Sequence, residues 1–490
     1  MSLTAAFQAA RASMGIASAQ TSLTSRNIAG AGDVSYAQKY AVVSTSPNGP
    51  AVVSIERAAD LALRRSLLDA NSASAAASAS ADGYQAIDAA FAGTGPETSI
   101  MGRLGALQDS LRTAATQPNN LAMTDAVLES AKDVVATLAA ANEAIQNVRA
   151  QADAAIATSV TNINRLLSDF SVTESELLRE KGRGGDVTAI LDQRDSIIAA
   201  LSNEIGVNVV QNSDGSTAIY ATGGAVLFNR EPRTVSFTAT DQFTAGASGN
   251  DVYIDGVNVT AEHSPMRASG GRLSGSVEIR DQAAPLTQRQ LDEIARGLVV
   301  AFSEADVSGA SSAPALPGLF TYPGAAPVGA AVLMPGLAGV IRVNPSVDPA
   351  QGGSPLRIRD GGAADPGNAA YVANPSQAAG YSARLLSYVD AMRSAQDFDP
   401  GAQLGSSQGL LAFIEGAISF SASRNQRASE ASQQTGVLKD RMTVALSNAT
   451  GVNVDEEMAR LLDVENAYRA SAKLITTING LYQTLFDSIR

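Results

Sequence analysis

Residues 451–490, GVNVDEEMARLLDVENAYRASAKLITTINGLYQTLFDSIR, decide the fold of this chain. The stretch contains no proline and one internal glycine, so it favours a single uninterrupted helix. Asn453, followed three residues later by Glu456, has the spacing of a capping box in which asparagine replaces serine or threonine. Asp455, Glu456 and Glu457 place three carboxylates at the positive end of the helix dipole. We predict a helix of about 55 Å that begins after Asn453.

This helix carries more apolar surface than one partner helix can cover. Apolar residues recur every three or four positions, and only Glu465 and Asn479 interrupt them. The members of this stripe are Val454, Met458, Leu461, Tyr468, Ala472, Ile475, Tyr482, Phe486 and Ile489. The second stripe, beside it over the last four turns, contains Leu474, Ile478, Leu481 and Leu485. A helix with two adjacent apolar stripes needs neighbours on two sides.

Residues 3–28 form a second, alanine-rich helical pattern at the other end. Its positions at spacings of four and three are Leu3, Phe7, Ala10, Met14, Ala17, Thr21, Thr24 and Ile28, with Ile16 and Leu23 alongside. An isolated segment of this kind is equally consistent with an ordinary core helix. Heptad-like helices at both ends of one chain favour pairing with each other or with other copies.

The middle of the chain changes from long helices to short strands and back. Residues 121–180 contain no glycine or proline, which predicts a helix of about 90 Å, a length typical of rods and bundles. The other predicted helices are 57–92, 99–116, 186–205, 285–304, 376–394 and 408–447. The predicted strands are 40–46, 51–55, 207–211, 217–221, 225–228, 235–238, 252–254, 257–260, 273–279 and 340–343, and most of 308–370 is predicted to be loop.

The order helix, β, helix predicts an elongated, multi-domain α+β chain, mainly α with an inserted β-rich domain. We expect residues 1–32 and 452–490 to pair as an antiparallel, coiled-coil-like terminal domain. Residues 33–205 and 371–451 would form a long-helix rod domain, and residues 206–370 a β-rich outer domain.

Composition excludes several classes of function. The net charge of −13 argues against a nucleic acid partner, and the absence of cysteine excludes disulfides, thiolate metal sites and cysteine nucleophiles. The first twenty residues lack the basic region and apolar core of a signal peptide, and no apolar run approaches about 18 residues. By these rules alone we would expect a cytoplasmic chain with no membrane insertion, but the family resemblance given below replaces the cytoplasmic expectation.

The sequence offers no constellation for catalysis. His263 is the one histidine and is expected on the surface. Asp186, Asp192 and Asp195 lie on one predicted helix, where capping and local ion pairs are commoner than catalysis. We therefore predict no enzyme activity, and no catalytic, cofactor or metal site.

Three motifs, taken together, resemble a known family. Residues 25–30 (SRNIAG) with Tyr36, residues 191–195 (LDQRD) leading to 214–216 (DGS), and residues 451–457 (GVNVDEE) are similar to segments of the flagellar hook-associated protein 1 family. The first motif is common to axial proteins of the flagellum, and here it departs from their usual ending. The motif residues are Asn27, Asp192, Gln193, Arg194, Asp195, Asn453, Asp455, Glu456 and Glu457.

The resemblance implies a structural subunit at the junction of hook and filament, outside the cell, exported by the flagellar type III apparatus without signal cleavage. Implied partners are other copies, hook protein, a second junction protein and through it flagellin, and an export chaperone. In this family the terminal helices lie towards the central channel of the tube and the β domain faces outward. The expected assembly interface comprises Leu3, Phe7, Met14, Leu23, Ile28, Val454, Met458, Leu461, Tyr468, Ile475, Ile478, Leu481, Tyr482, Leu485, Phe486 and Ile489.

Two alternatives stay open at this point. A flagellin or a hook-type axial subunit would share the terminal helices, but the motif at 191–216 disfavours the first and the long helical rod disfavours the second. An envelope-directed hydrolase would need a pair of acidic residues in a cleft. In the free monomer we expect residues 453–489 to be largely disordered, because so apolar a helix lacks its neighbours.

Overall fold

The computed structural model describes residues 3–33, 35–46, 49–93, 95–212, 215–307, 314–328 and 333–489. Within these residues the chain is mainly α-helical with small antiparallel sheets, which confirms the predicted fold class. Asp214 of the second motif, the side chain of Ile489 and part of the predicted loop region 308–370 lie outside the described residues. No helix in the described ranges is both long enough and apolar enough to cross a bilayer.

The helices follow most of the predicted boundaries. They are α1 (Leu3–Gly30), α2 (Leu61–Ala92), α3 (Ile100–Thr116), α4 (Leu121–Arg183), α5 (Thr188–Glu204), α6 (Gly271–Glu278), α7 (Ala284–Ala301), α8 (Leu337–Val340), α9 (Leu356–Asp360), α10 (Ala383–Ala391), α11 (Leu410–Thr450) and α12 (Val454–Ile489). The helix predicted at 376–394 is shorter, since α10 begins only at Ala383.

The strands form five small antiparallel sheets in the described part of the chain. The hairpin joins β1 (Lys39–Ser46) to β2 (Gly49–Arg57). The four-stranded sheet has the order β3 (Val207–Gln211), β4 (Thr217–Ala221), β5 (Val226–Asn229), β6 (Glu231–Pro232). The others are β7 (Val235–Ser236), β8 (Tyr253–Ile254) and β9 (Val257–Asn258), then β10 (Phe320–Thr321) with β11 (Arg342–Val343), and β12 (Gln396–Asp397) with β13 (Ser407–Gln408).

Helix α4 is the longest element, with 63 residues and a length of about 95 Å. Asn120 caps its start, because its side-chain oxygen accepts from the amide of Ala122 at 3.1 Å. Gly184 ends it in the left-handed region, at φ 72°, where glycine carries no steric cost. Along this length α4 contacts the helices α2, α3, α5, α6, α7, α8 and α9.

Two apolar cores lie along α4. The first packs the early half of α4 against α3, α7, α10 and the start of α11, and includes the stacked rings of Phe302 and Tyr388, 4.7 Å apart. The second packs the later half of α4 against α5, α6 and the four-stranded sheet, with Phe170 edge-on to Phe228 at 4.8 Å. Both cores contain residues that precede position 206 in the chain and residues that follow it.

Residues 273–279 were predicted as a strand, and this is wrong. They belong to α6, which continues through a π-helical turn (Ile279–Ala283) into α7. The alternating apolar residues suggested a period of two, but Gly275 lets α6 pack directly on α2. A Cβ at Gly275 would lie 2.4 Å from the carbonyl oxygen of Ala76 and 2.9 Å from the Cβ of Ala79. The π turn precedes Pro285, whose missing N–H disturbs the regular helix bonds.

Helices α2 and α11 form an antiparallel pair beside these cores. Asp88 near the end of α2 accepts hydrogen bonds from Ser421 Oγ (3.0 Å) and Asn425 Nδ2 (3.1 Å) of α11. Because α11 runs back along α2, it returns the chain to the region where α1 and the hairpin meet the body.

The close contact at Gly275 yields a stability prediction. Gly275→Ala forces α2 and α6 apart and should lower the free energy of unfolding by about 1–3 kcal/mol. The matched control is Gly105→Ala in α3, where an added Cβ has no neighbour within 4 Å. That change should raise stability by up to about 1 kcal/mol, because alanine favours helix. Urea unfolding of both variants measures the difference, and equal shifts would contradict the packing assignment.

Candidate assembly site

The two terminal helices pair antiparallel, as predicted. At one end Thr4 Oγ1 lies 3.2 Å from the hydroxyl of Tyr482, and at the other end Gln38, just after α1, donates to Glu457 Oε1 at 2.7 Å. Among the described elements, α1 is the one that packs extensively against α12. The terminal helices therefore form one hairpin-like unit whose open end lies near Tyr482.

The buried line between the two helices follows a heptad. The buried residues of α12 are seven positions apart: Glu457, Val464, Ser471 and Ile478. On α1, Ala10, Ala17 and Thr24 are also buried at intervals of seven. A repeat of seven keeps a buried seam on one side of a coiled coil, and small residues let the helices approach closely.

The structure places the predicted interface residues at three levels of exposure. Leu23 and Ile478 are buried. The half-buried residues are Phe7, Met14, Ile28, Leu461, Ile475 and Tyr482. The exposed residues are Leu3, Val454, Met458, Tyr468, Leu481, Leu485 and Phe486. Their common role in assembly stays a prediction.

Each buried residue of α12 comes one position before a member of the predicted stripe or before one of its two polar interruptions. Val464 and Ser471 belong to it, although the sequence reading did not select them. Glu465 and Asn479, which interrupted the predicted stripe, are exposed. Those two polar residues were the available signal that the seam lies at 464, 471 and 478.

Exposed apolar side chains remain on α12 after α1 has covered the seam. In the first half Val454, Met458 and Leu462 are 42%, 46% and 59% exposed. In the second half the exposed residues include Leu474 and Leu481, and Phe486 reaches 68%. Apolar surface therefore remains exposed on both sides of the seam, and the need of α12 for neighbours on two sides stays a prediction.

Five charged residues, which we call the clasp, join the β1–β2 hairpin to α2 and α5 beside the base of α1: Lys39, Arg57, Arg64, Asp192 and Asp195. Asp192 pairs with Lys39 Nζ at 3.0 Å and with Arg57 at 2.9 Å. Asp195 pairs with Arg57 and, at 2.6 Å, with Arg64. The side chains of Lys39, Arg57 and Asp195 are less than a tenth exposed. The clasp therefore joins the hairpin, α2 and α5 in a place largely closed to water.

Asn27 of α1 extends the clasp into the terminal unit. Its amide donates to the carbonyl of Lys39 at 2.9 Å, and its side-chain oxygen accepts from the Lys39 amide and the Tyr36 hydroxyl, both at 3.0 Å. Burial raises the pKa of Tyr36 to about 12, and the negative charge of Asp192 acts in the same direction. The phenol therefore stays protonated and keeps donating to Asn27.

Two further contacts lie at this joint. The Gln38 amide donates to the carbonyl of Thr450 at 2.8 Å, where α11 ends. Arg26 pairs with Asp186 at 3.1 Å. Burial would raise the pKa of the Asp186 carboxyl, but hydrogen bonds from Thr188 and from Arg26 outweigh it, so the pKa is lowered and the group stays charged.

The motif residues divide into two groups. Asn27, Asp192, Asp195 and Glu457 meet at the joint, while Gln193 on α5 is exposed. Asn453 caps α12 as predicted, because its side-chain oxygen accepts from the amides of Asp455 (3.0 Å) and Glu456 (3.4 Å).

The expectation of local ion pairs on α5 is only partly met. Arg194 lies 3.5 Å from Asp195 and also donates to Thr217 Oγ1 at 3.3 Å. The other partners of the two aspartates, Lys39, Arg57 and Arg64, lie more than a hundred residues earlier in the chain. Sequence reasoning missed these three cations, and no local signal marks them.

Outside the joint, the groups of chemical interest are the histidine and side chains that could bind a metal ion. His263 is exposed, as expected. Across the described ranges, no group of three or more histidine, cysteine, aspartate or glutamate side chains is placed to hold a metal ion.

The helical body and the terminal helix α12 are both similar to segments of flagellar proteins. Residues 84–318 match the flagellar hook-associated protein FlgK helical domain. Residues 446–487, which contain nearly all of α12, match the flagellar basal body rod FlgEFG protein C-terminal model. The chain is 21% identical to flagellar hook-associated protein 1 of Bacillus subtilis over 408 residues, covering 79% of this chain and 75% of the relative.

The chain is therefore similar to the FlgK helical domain over 84–318 and to flagellar hook-associated protein 1 over most of its length. The protein of that name from Salmonella typhimurium is 23% identical over 270 residues, which cover 54% of this chain and about half (47%) of the relative. The flagellar hook junction protein FlgK from Burkholderia pseudomallei matches with a TM-score of 0.43 at 20% identity, over 53% of this chain and 46% of that one.

The clasp yields a second stability prediction. Asp195→Asn leaves the largely buried Arg64 without a carboxylate partner and leaves Arg57 with Asp192 alone, and should cost about 3–5 kcal/mol of stability. The control is Asp169→Asn, which removes an exposed pair with Arg165 on α4 and should change stability by at most about 1 kcal/mol. Urea unfolding measures both, and a loss for Asp195→Asn no larger than the control's would show that the clasp is not structural.

Proposed function

We propose that this chain is a structural subunit of the bacterial flagellum that joins the hook to the filament and polymerises through α1 and α12. The observation that carries the proposal is the apolar surface of α12 that α1 leaves exposed, within the segment that matches the C-terminal model of rod proteins. Contiguous exposed apolar surface on a water-exposed chain marks an interaction site.

The proposed partners follow from a position at the junction. They are other copies of this chain, hook protein on the cell-proximal side, and a second junction protein that leads to flagellin. An export chaperone would cover α12 before assembly, because the exposed leucines would otherwise aggregate. We place the chain outside the cell, exported by the flagellar apparatus without a cleaved signal peptide.

The proposal assigns a role to each part of the chain. Residues 1–32 and 452–490 would form the assembly unit towards the channel of the tube. Residues 33–205 and 371–451 would form the rod, and residues 206–370 the outward domain. The clasp would transmit the orientation of the body to the terminal helices through Lys39, whose backbone is hydrogen-bonded to Asn27 of α1.

The match over residues 84–318 favours a junction protein over a flagellin or a hook subunit. Nothing in the described residues favours an envelope-directed hydrolase, and we carry that alternative no further. We propose a purely structural subunit.

A chain that ends at residue 452 tests the proposal in a strain that lacks the full-length copy. Removing α12 should leave the two cores folded, since neither includes α12 residues. The expected result is cells with hooks, no filaments, and flagellin released into the medium, as seen by electron microscopy and immunoblotting. Normal filaments on such cells would refute the proposal.

A point variant separates assembly from folding. Leu474→Glu with Leu481→Glu changes two side chains that are more than half exposed, so the fold should persist. A carboxylate forced into a subunit contact costs several kcal/mol, so filaments should be lost. The matched control, Gln483→Glu, changes an exposed position about 180–200° around α12 from Leu474 and Leu481 and should support filaments. Equal filament counts for both variants would argue against α12 as the assembly surface.

A further inference from the structure

The exposed apolar residues of α12 form two patches of similar make-up. The near patch is Val454, Met458 and Leu462, which are 42–59% exposed. The far patch is Leu474, Leu481 and Leu485, which are 48–56% exposed. Each consists of three aliphatic or thioether side chains that α1 does not cover.

The near patch lies on one side of the seam and Leu474 and Leu481 of the far patch lie on the other, while Leu485 continues the seam line seven residues after Ile478. At about 100° per residue, Met458 and Leu462 fall on one side of the buried line through Glu457 and Val464, and Leu474 and Leu481 fall on the other side of its continuation. The patch centres are about 22 residues apart, which is about 33 Å along the helix. One copy therefore cannot bring its own two patches together.

Charge distinguishes the two halves of the helix. Residues 453–469 carry five carboxylates and two guanidinium groups, a net charge of −3. Residues 470–489 carry Lys473 and Asp487 and are neutral. The contact of Thr4 with Tyr482 places the first half of α1, with Arg11 as its one charged residue, beside this neutral half. The far end of the unit is therefore the more positive end.

We propose that the near patch of one copy docks on the far patch of the next copy in a head-to-tail contact. This inference rests on the proposed function, since it specifies how copies meet in the assembly. A near-to-near contact would oppose two regions of charge −3, whereas near-to-far places the acidic half against the neutral-to-basic end. Head-to-tail contacts between unlike patches propagate into rings or helices, which a self-complementary contact does not do.

Cysteine cross-linking tests the contact directly, because the natural chain contains no cysteine. Cells lacking the natural copy express Met458→Cys/Leu481→Cys, and purified hook–filament structures are treated with a mild oxidant. The expected result is a ladder of covalent dimers, trimers and larger species on a denaturing gel. Met458→Cys alone and Leu481→Cys alone should stay monomeric. The control Ala467→Cys/Leu481→Cys should also stay monomeric, because the exposed position 467 lies about 180° around the helix from Met458.

The outcomes separate the inference from the proposed function. Filament-bearing structures in which the double variant stays monomeric, or in which Met458→Cys alone cross-links as well as the double variant, would overturn the head-to-tail contact and leave the junction role intact. Filaments that form equally well without any copy of the chain would overturn the junction role itself, and with it this inference.

Discussion

The pairing of Asp192 and Asp195 with Lys39, Arg57 and Arg64 is the constraint on which the arrangement of the chain depends. These ion pairs join α5 to the hairpin and to α2 within a region largely closed to solvent. Buried ion pairs gain little over apolar packing because desolvation offsets their attraction, but they tolerate few geometries. The clasp therefore sets the position at which α1 and α12 leave the body more than it adds to stability.

The terminal helices differ from the clasp, because a narrow seam of mostly small side chains joins them instead of buried ion pairs. Their shared seam is narrow, built from Ala10, Ala17 and Thr24 against Val464, Ser471 and Ile478, so it buries little apolar area. Apolar burial contributes about 25 cal/mol per Å², and the larger leucines of α12 are the side chains left exposed. A helix with its largest apolar residues unburied gains most of its stability from what packs on it next. Assembly and folding of α12 are in this view the same event.

Local signals in the sequence identified much of this fold. Uninterrupted helical composition located α4, and Asn453 located the start of α12. The strand predicted at 273–279 was wrong because alternation around Gly275 reflects helix contact with α2, which only tertiary structure reveals. The predicted seam of α12 was one position away from the buried one because apolar residues flank the buried line on both sides, so spacing alone did not show which row faces α1. The clasp could not be predicted, since its cations lie far from LDQRD and in unremarkable local sequence.

Hydrogen exchange along α12, in the free chain and in purified hook–filament structures, tests most directly whether this helix depends on neighbouring copies. In the free chain, protection should be low and should fall from Glu457, which Gln38 holds at the joint, towards Leu485 beyond the contact with Thr4. In the assembled structure, the amides from 458 to 486 should become strongly protected. Strong, uniform protection of α12 in the free chain, unchanged on assembly, would contradict the account.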